Sequence, residues 1–145
     1  MKKRFGYLFM FILAGIIFLV DFITKNYFVN VRGCFLFLCS QPILNKGAAF
    51  GILQGFDFLL IAIALIVIVL ILYFYGSVSR PMQIALALIF AGTVANTMNR
   101  VCLGFVIDFI KFSFIQNSAA FNLADISNIA GAIILLIALF KKKKR

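Results

Sequence analysis

Between Phe58 and Tyr75 the chain runs without a break and without a charge. At 1.5 Å rise per residue that run makes a helix of roughly 27 Å, close to the about 30 Å hydrocarbon core of a bilayer. Three more runs are apolar over most of their length: Phe5 to Val20, Met82 to Met98, which turns polar at Thr93, Asn96 and Thr97, and Ala124 to Phe140, which carries Asp125 near its start. Composition leaves no other solvent for them. The chain is 65% hydrophobic and 12% charged over 145 residues, whereas soluble domains run near half apolar and about a quarter charged. A chain this short cannot hide that surface in a core of its own, and disorder needs the opposite composition. The expected fold class is an all-α membrane protein. A single integral membrane domain, 1–145, is expected, with spans at about 5–23, 57–75, 82–99 and 124–140.

Four spans put both termini on one side, and the charges choose which side. Lys2, Lys3, Arg4, Arg80 and the run Lys141 to Arg145 all fall on the face shared by the termini and the short 76–81 turn. The positive-inside rule makes that face cytoplasmic. The net charge of +10 is thus chiefly a topology signal, with the basic tail set against anionic membrane lipid and not against nucleic acid. The first run also has the layout of a secretory signal, but no small-x-small site precedes a polar segment. It reads as a retained helix.

Two long connections remain on the outer side. Tyr27 to Leu38 is rich in Phe, Val and Leu and reads as short strands, with Pro42 ending the pattern. Val106 to Ile110 is another short extended segment. Cys34 and Cys39 are five apart, so on a strand they would point to opposite faces and not bridge. Those two and Cys102 read as packing residues.

The chain has no His, and every carboxylate side chain is one of Asp21, Asp57, Asp108 and Asp125. That excludes Ser-His-Asp and Cys-His enzymes and histidine metal sites; no metal or cofactor is expected. Polar residues beside membrane spans are costly and point to function. Here they gather at the outer ends. Gly92, Asn96 and Arg100 share one helical face, and so do Asn122, Asp125 and Asn128. Asp21 and Lys25 have the i, i+4 spacing of an interfacial ion pair, and Asp57 reads as a dipole partner opening the second helix. Asn45, Lys46 and Gly47 lie in the outer loop. Two carboxylates held close cannot both ionise, so one keeps a proton while the other accepts one from water. Asp125, at the positive end of the fourth helix, is the expected base. Asp108, between Ile107 and Phe109, is the expected proton holder.

The same residues carry a family pattern. Asp21 to Lys25 matches D-x-x-T-K, Asn45 to Phe50 matches N-x-G-A-A-F, and Gly104 to Phe109 matches G-x-V-x-D-F. Phe121 to Asp125 matches F-N-x-A-D, and Gly92 to Arg100 matches G-x-x-x-N-x-x-D-R with Asn99 in place of the Asp. Through nearly its whole length the chain resembles the lipoprotein signal peptidases (signal peptidase II), aspartic endopeptidases of the bacterial inner membrane. The resemblance implies a small β-rich periplasmic cradle near residues 27–50. It implies cleavage of diacylglyceryl-modified prolipoproteins just before the lipidated cysteine. It makes Asp108 and Asp125 the catalytic pair, with Asp21, Lys25, Asn45, Gly47, Asn96, Arg100 and Asn122 in support. A monomer is expected, with the active site near the periplasmic face. Asn99 brings no charge to Arg100, which opens an alternative, a catalytically weak relative that binds prolipoproteins. A small channel or proton-relay protein is the other alternative, but a conducting path needs polar groups at several depths, and the second helix has none.

Overall fold

In a computed structural model, residues 5–47, 52–114 and 119–143 are described. Four helices form, α1 (Tyr7–Phe28), α2 (Asp57–Tyr75), α3 (Arg80–Leu103) and α4 (Leu123–Lys143), each long and apolar enough to cross a bilayer. α2 is apolar all round and largely exposed along its length, as a lipid-facing helix must be. α3 is the central element and packs against the other three. Its buried face is built from small residues, Ala85, Ala87, Ala91, Gly92 and Ala95, which let helix backbones approach where lipid removes the hydrophobic drive. Gly92 has no room for a Cβ, which would overlap the Ala124 carbonyl and the Asn128 amide of α4. Gly131 of α4 is likewise closed by the Ala85 carbonyl and Ile89. Ser127 adds a cross-helix bond, donating to the Leu88 carbonyl at 2.8 Å.

Three strands cover one end of the bundle: β1 (Gly33–Phe35), β2 (Leu38–Asn45) and β3 (Val106–Phe112), antiparallel in the order β1-β2-β3. Three expectations change here. The extended structure begins later than Tyr27, because α1 runs on to Phe28 and stacks that ring on Phe109 of β3 at 4.9 Å. Cys34 and Cys39 form a disulfide. The opposite-face argument treats them as one strand, but the chain turns at Leu36 and Phe37, so the two cysteines face each other across the hairpin. Cys102 is free and exposed on α3 instead of packed inside.

Pro42 lies within β2 and does not end it. The register jumps between Ser40, opposite Ile110, and Ile43, opposite Asp108, so Gln41 and Pro42 together oppose Phe109. That is a β-bulge, and a proline without an N–H is tolerated there. Its consequence reaches the site. Side chains alternate along a strand, and one extra residue exchanges the faces beyond it. With the bulge, Ile43 and Asn45 share the face of Asp108; without it, Pro42 and Leu44 would. Deleting Leu44, beyond the bulge, would place Asn45 opposite Ile107 on the other face. It is therefore expected to turn Asn45 away from Asp108 and lower activity by at least about tenfold, one charge-assisted hydrogen bond's worth. Parental activity in that deletion, measured beside its thermal unfolding, would show that the register beyond the bulge does not aim Asn45.

Candidate active site

Three asparagines and two aspartates meet where the sheet joins the bundle. Phe121, just ahead of α4, pairs with the free edge of β3, exchanging backbone bonds of 2.9 Å with Ile110. That docking delivers Asn122 to Asp108. Asn122 then opens α4 as half of a capping box. Its Oδ1 accepts the Asp125 N–H at 2.9 Å, and its own N–H donates to Asp125 Oδ2 at 3.2 Å. The F-N-x-A-D stretch carries the signal for this box, an Asn followed three residues on by an acid, which the reading of the sequence above takes only as a shared face.

Each asparagine is held the same way. A donor fixes its oxygen, so its NH2 must face a carboxylate. For Asn122 the donor is the Asp125 N–H, and Nδ2 reaches Asp108 Oδ1 at 2.6 Å. For Asn45 it is the Gly47 N–H at 2.8 Å, and Nδ2 reaches Asp108 Oδ2 at 2.8 Å. For Asn96 it is Lys25 Nζ at 3.0 Å, and Nδ2 reaches Asp125 Oδ1 at 2.8 Å. Asn122 Nδ2 also touches Asn96 Oδ1 at 3.2 Å, which joins the two halves.

The Asp21–Lys25 pair is not interfacial. It is 2.6 Å long with both side chains 2% exposed. Asp21 Oδ1 accepts the Ala124 N–H of α4 at 3.0 Å, using one of the donors a helix start leaves open. The pair therefore ties α1 to the first turn of α4 and, through Lys25, to Asn96. Arg100 donates Nη2–H to the Gly47 carbonyl at 2.8 Å and so fixes the loop that fixes Asn45. Thr93 reaches Asn128 Oδ1 at 3.4 Å, a weak contact. Thus Asp21, Lys25, Asn45, Gly47, Asn96, Arg100, Asp108, Asn122 and Asp125 form one connected assembly. Asp57 stands outside that hydrogen-bond network, at the start of α2.

A cavity of about 180 Å³ opens on this assembly, lined by Asn45, Asn96, Arg100, Asp108, Asp125 and Asn128. Val106, Phe121 and Ile129 form its apolar wall; Val106 and Phe121 are positions of the motifs around the two aspartates, whereas Ile129 lies in no motif. Burial, and then the neighbouring Asp125 charge, push the Asp108 carboxyl up from 3.8 to about 6, against the lowering effect of the Asn45 and Asn122 amides. Among the described residues no cluster of His, Cys and Asp suits a metal ion. The arrangement provides two carboxylates on one cavity, each held by amide donors, with one tending to keep its proton.

A family model for signal peptidase (SPase) II matches residues 13–141. The chain belongs to the signal peptidase II family. It is 32% identical over its full length to a lipoprotein signal peptidase of Haemophilus influenzae, covering 92% of that protein. It is 35% identical to one of Clostridium novyi, over 74% of this chain and 76% of the relative. A solved bacterial membrane enzyme superposes with a TM-score of 0.89 at 30% identity, over 99% of this chain and 94% of that one. Signal peptidase II membership makes this multi-pass membrane protein a protease, and the paired aspartates fit the aspartic type.

Proposed function

We propose that this chain removes signal peptides from diacylglyceryl-modified prolipoproteins, cutting just before the lipidated cysteine with Asp108 and Asp125 as the acid–base pair. The observation that carries the residue assignment is the joint placement of these two carboxylates on one cavity at the membrane edge, linked through Asn122. The diacylglyceryl chains stay in the bilayer while the scissile amide enters the cavity. Asp125, steadied by the Asn96 amide and the Asn122 N–H, takes a proton from water. The water oxygen attacks the carbonyl carbon as Asp108 gives its proton to the carbonyl oxygen. Collapse of the tetrahedral intermediate breaks the C–N bond as Asp125 protonates the leaving amine and one hydroxyl of the gem-diol returns its proton to Asp108, so that C=O re-forms and the pair is reset. The new carboxyl end belongs to the signal peptide and the new amine to the cysteine.

A monomer suffices for this reading, since the described residues of one chain complete the hydrogen-bonded assembly. It lies in the bacterial inner membrane, with the sheet end periplasmic and the termini cytoplasmic. The basic residues Arg80 and Lys141, at the end away from the sheet, support that orientation. Cleavage of a purified diacylglyceryl-modified precursor, with the unmodified precursor beside it, tests the reading. Cleavage of the modified form alone is expected. Equal cleavage of both would remove the lipid from the recognition, and cleavage of neither would leave a binder.

Asp108 also predicts a pH dependence. Loss of its proton on passing about pH 6 should give kcat/KM a descending limb, since the pair needs one proton to work. Asn45→Ala removes a bond that favours the charged form, so the limb should move to higher pH. An unmoved limb would assign that ionisation elsewhere. Stability follows the same group. The unfolded chain releases this proton near 3.8 and the folded one near 6. Its contribution is therefore fully present below about pH 3.8 and is lost as pH rises to about 6.

A further inference from the structure

Arg100 is underused by the assembly it supports. One of its nitrogens holds Gly47, but its buried Nε–H has no acceptor among the described residues. Two buried acceptor oxygens at the same end of the bundle also lack a partner among the described residues, Asn99 Oδ1 on α3 and Asp57 Oδ1 at the start of α2. Buried polar atoms without partners are rare and call for an explanation. These three, one donor and two acceptors, lie at the sheet end of the packed helices α2 and α3, with no hydrogen bond between them.

The acidic groups near enough for their charge to act on Arg100 are Asp108, Asp125 and Asp57. The first two are engaged by asparagine amides and face the cavity. Asp57 has a buried oxygen to spare, and α2 packs against α3. A partner for an α2 dipole needs neither the burial nor the arginine, so the dipole role expected from the sequence leaves both unexplained.

We infer that Asp57 is the counter-charge that positions Arg100, in the role an aspartate at position 99 would fill. The chain of action is Asp57 to Arg100, Arg100 to the Gly47 carbonyl, the Gly47 N–H to Asn45, and Asn45 to Asp108. Asp57 touches no reacting atom. It is a positioning residue whose effect arrives through the loop after β2. The inference also explains why Asn99 is tolerated: the carboxylate sits on the neighbouring helix instead.

This inference rests on the peptidase reading, and its test separates the two. Asp57→Asn, Asp57→Glu, Asn99→Asp and the combination of Asp57→Asn with Asn99→Asp are purified and assayed on a diacylglyceryl-modified precursor. Asp57→Asn is expected to lower kcat about tenfold, the order of a charge–charge attraction that acts without direct contact, with KM little changed. Asp57→Glu should keep most of the activity, and Asn99→Asp alone should cleave as fast as the parent or faster. The combination should return to near the parental rate. A role confined to the α2 dipole would be lost in both backgrounds alike, so failure of the combination to recover overturns the inference, as does full activity of Asp57→Asn. If the parent does not cleave, the peptidase reading fails. The unfolding midpoints of the same proteins still decide the coupling: recovery in the combination supports it, and strictly additive losses overturn it.

Discussion

Asp108→Asn and Asp125→Asn are each expected to lower cleavage by about 10²- to 10⁴-fold, the usual worth of a positioned acid or base. Combining them should cost little more than either alone, because groups that act as a unit are not additive. Neither substitution should prevent folding. In each, the introduced NH2 replaces an oxygen that accepts a hydrogen bond, from Asn45 or Asn122 at Asp108 and from Asn96 or the Asn122 backbone at Asp125. One lost bond of that kind costs about 1–3 kcal/mol. Thermal unfolding in detergent, run beside the assay, separates lost chemistry from lost structure. Additive losses in the double variant would show that the two carboxylates act independently.

The second large effect belongs to Asp21 and Lys25. Asp21→Ala leaves the Lys25 cation buried without its counter-ion and removes the acceptor of the Ala124 N–H. Breaking a buried pair from one side costs about 3–5 kcal/mol. Lys25→Met strands the carboxylate instead and should cost a similar amount. Replacing both by apolar residues of like size should recover much of the stability, since no charge is then left unpaired. Activity should not return with it. Asn96 would lose the Lys25 donor and keep only the longer Asn122 bond of 3.2 Å to its oxygen, which loosens the orientation that aims its NH2 at Asp125. Unfolding midpoints and cleavage rates of the three variants check this. Restored activity in the double variant would reduce the pair to a structural clamp.

The helices and the membership of the site were legible in the sequence for a simple reason. In a chain this apolar each polar residue must be justified, and Asn96, Asn122, Asp108 and Asp125 stand out against lipid-like surroundings. What joins them was not legible. The bulge at Gln41 and Pro42 decides which face Asn45 takes, and a proline in a strand reads as a stop until its partner strand is known. The disulfide depends on a turn at Leu36 and Phe37 that places Cys34 opposite Cys39, which spacing alone does not reveal. Asp21 and Lys25 have the spacing of a surface pair, and only the arrival of the Ala124 backbone turns them into a buried junction. For the bulge and the ion pair the deciding contact is distant in sequence, and for the disulfide it is a local turn.

The repeated device in the site is the asparagine with a committed oxygen. An amide whose oxygen is held has one orientation left, so three asparagines present fixed donors to two carboxylates without adding charge. That keeps both aspartates in place while burial and their mutual repulsion hold a proton on the pair. Preorganised donors of this kind cost no rearrangement when charge develops in the reaction.

The central claim is that Asp108 and Asp125 together cut the amide before a lipidated cysteine. Mass analysis of the products from a purified diacylglyceryl-modified precursor tests it most directly. The account predicts a mature fragment that begins at the lipidated cysteine, formed by the parent and by neither Asp108→Asn nor Asp125→Asn. A cut at another bond, or the same fragment from either variant, would contradict it.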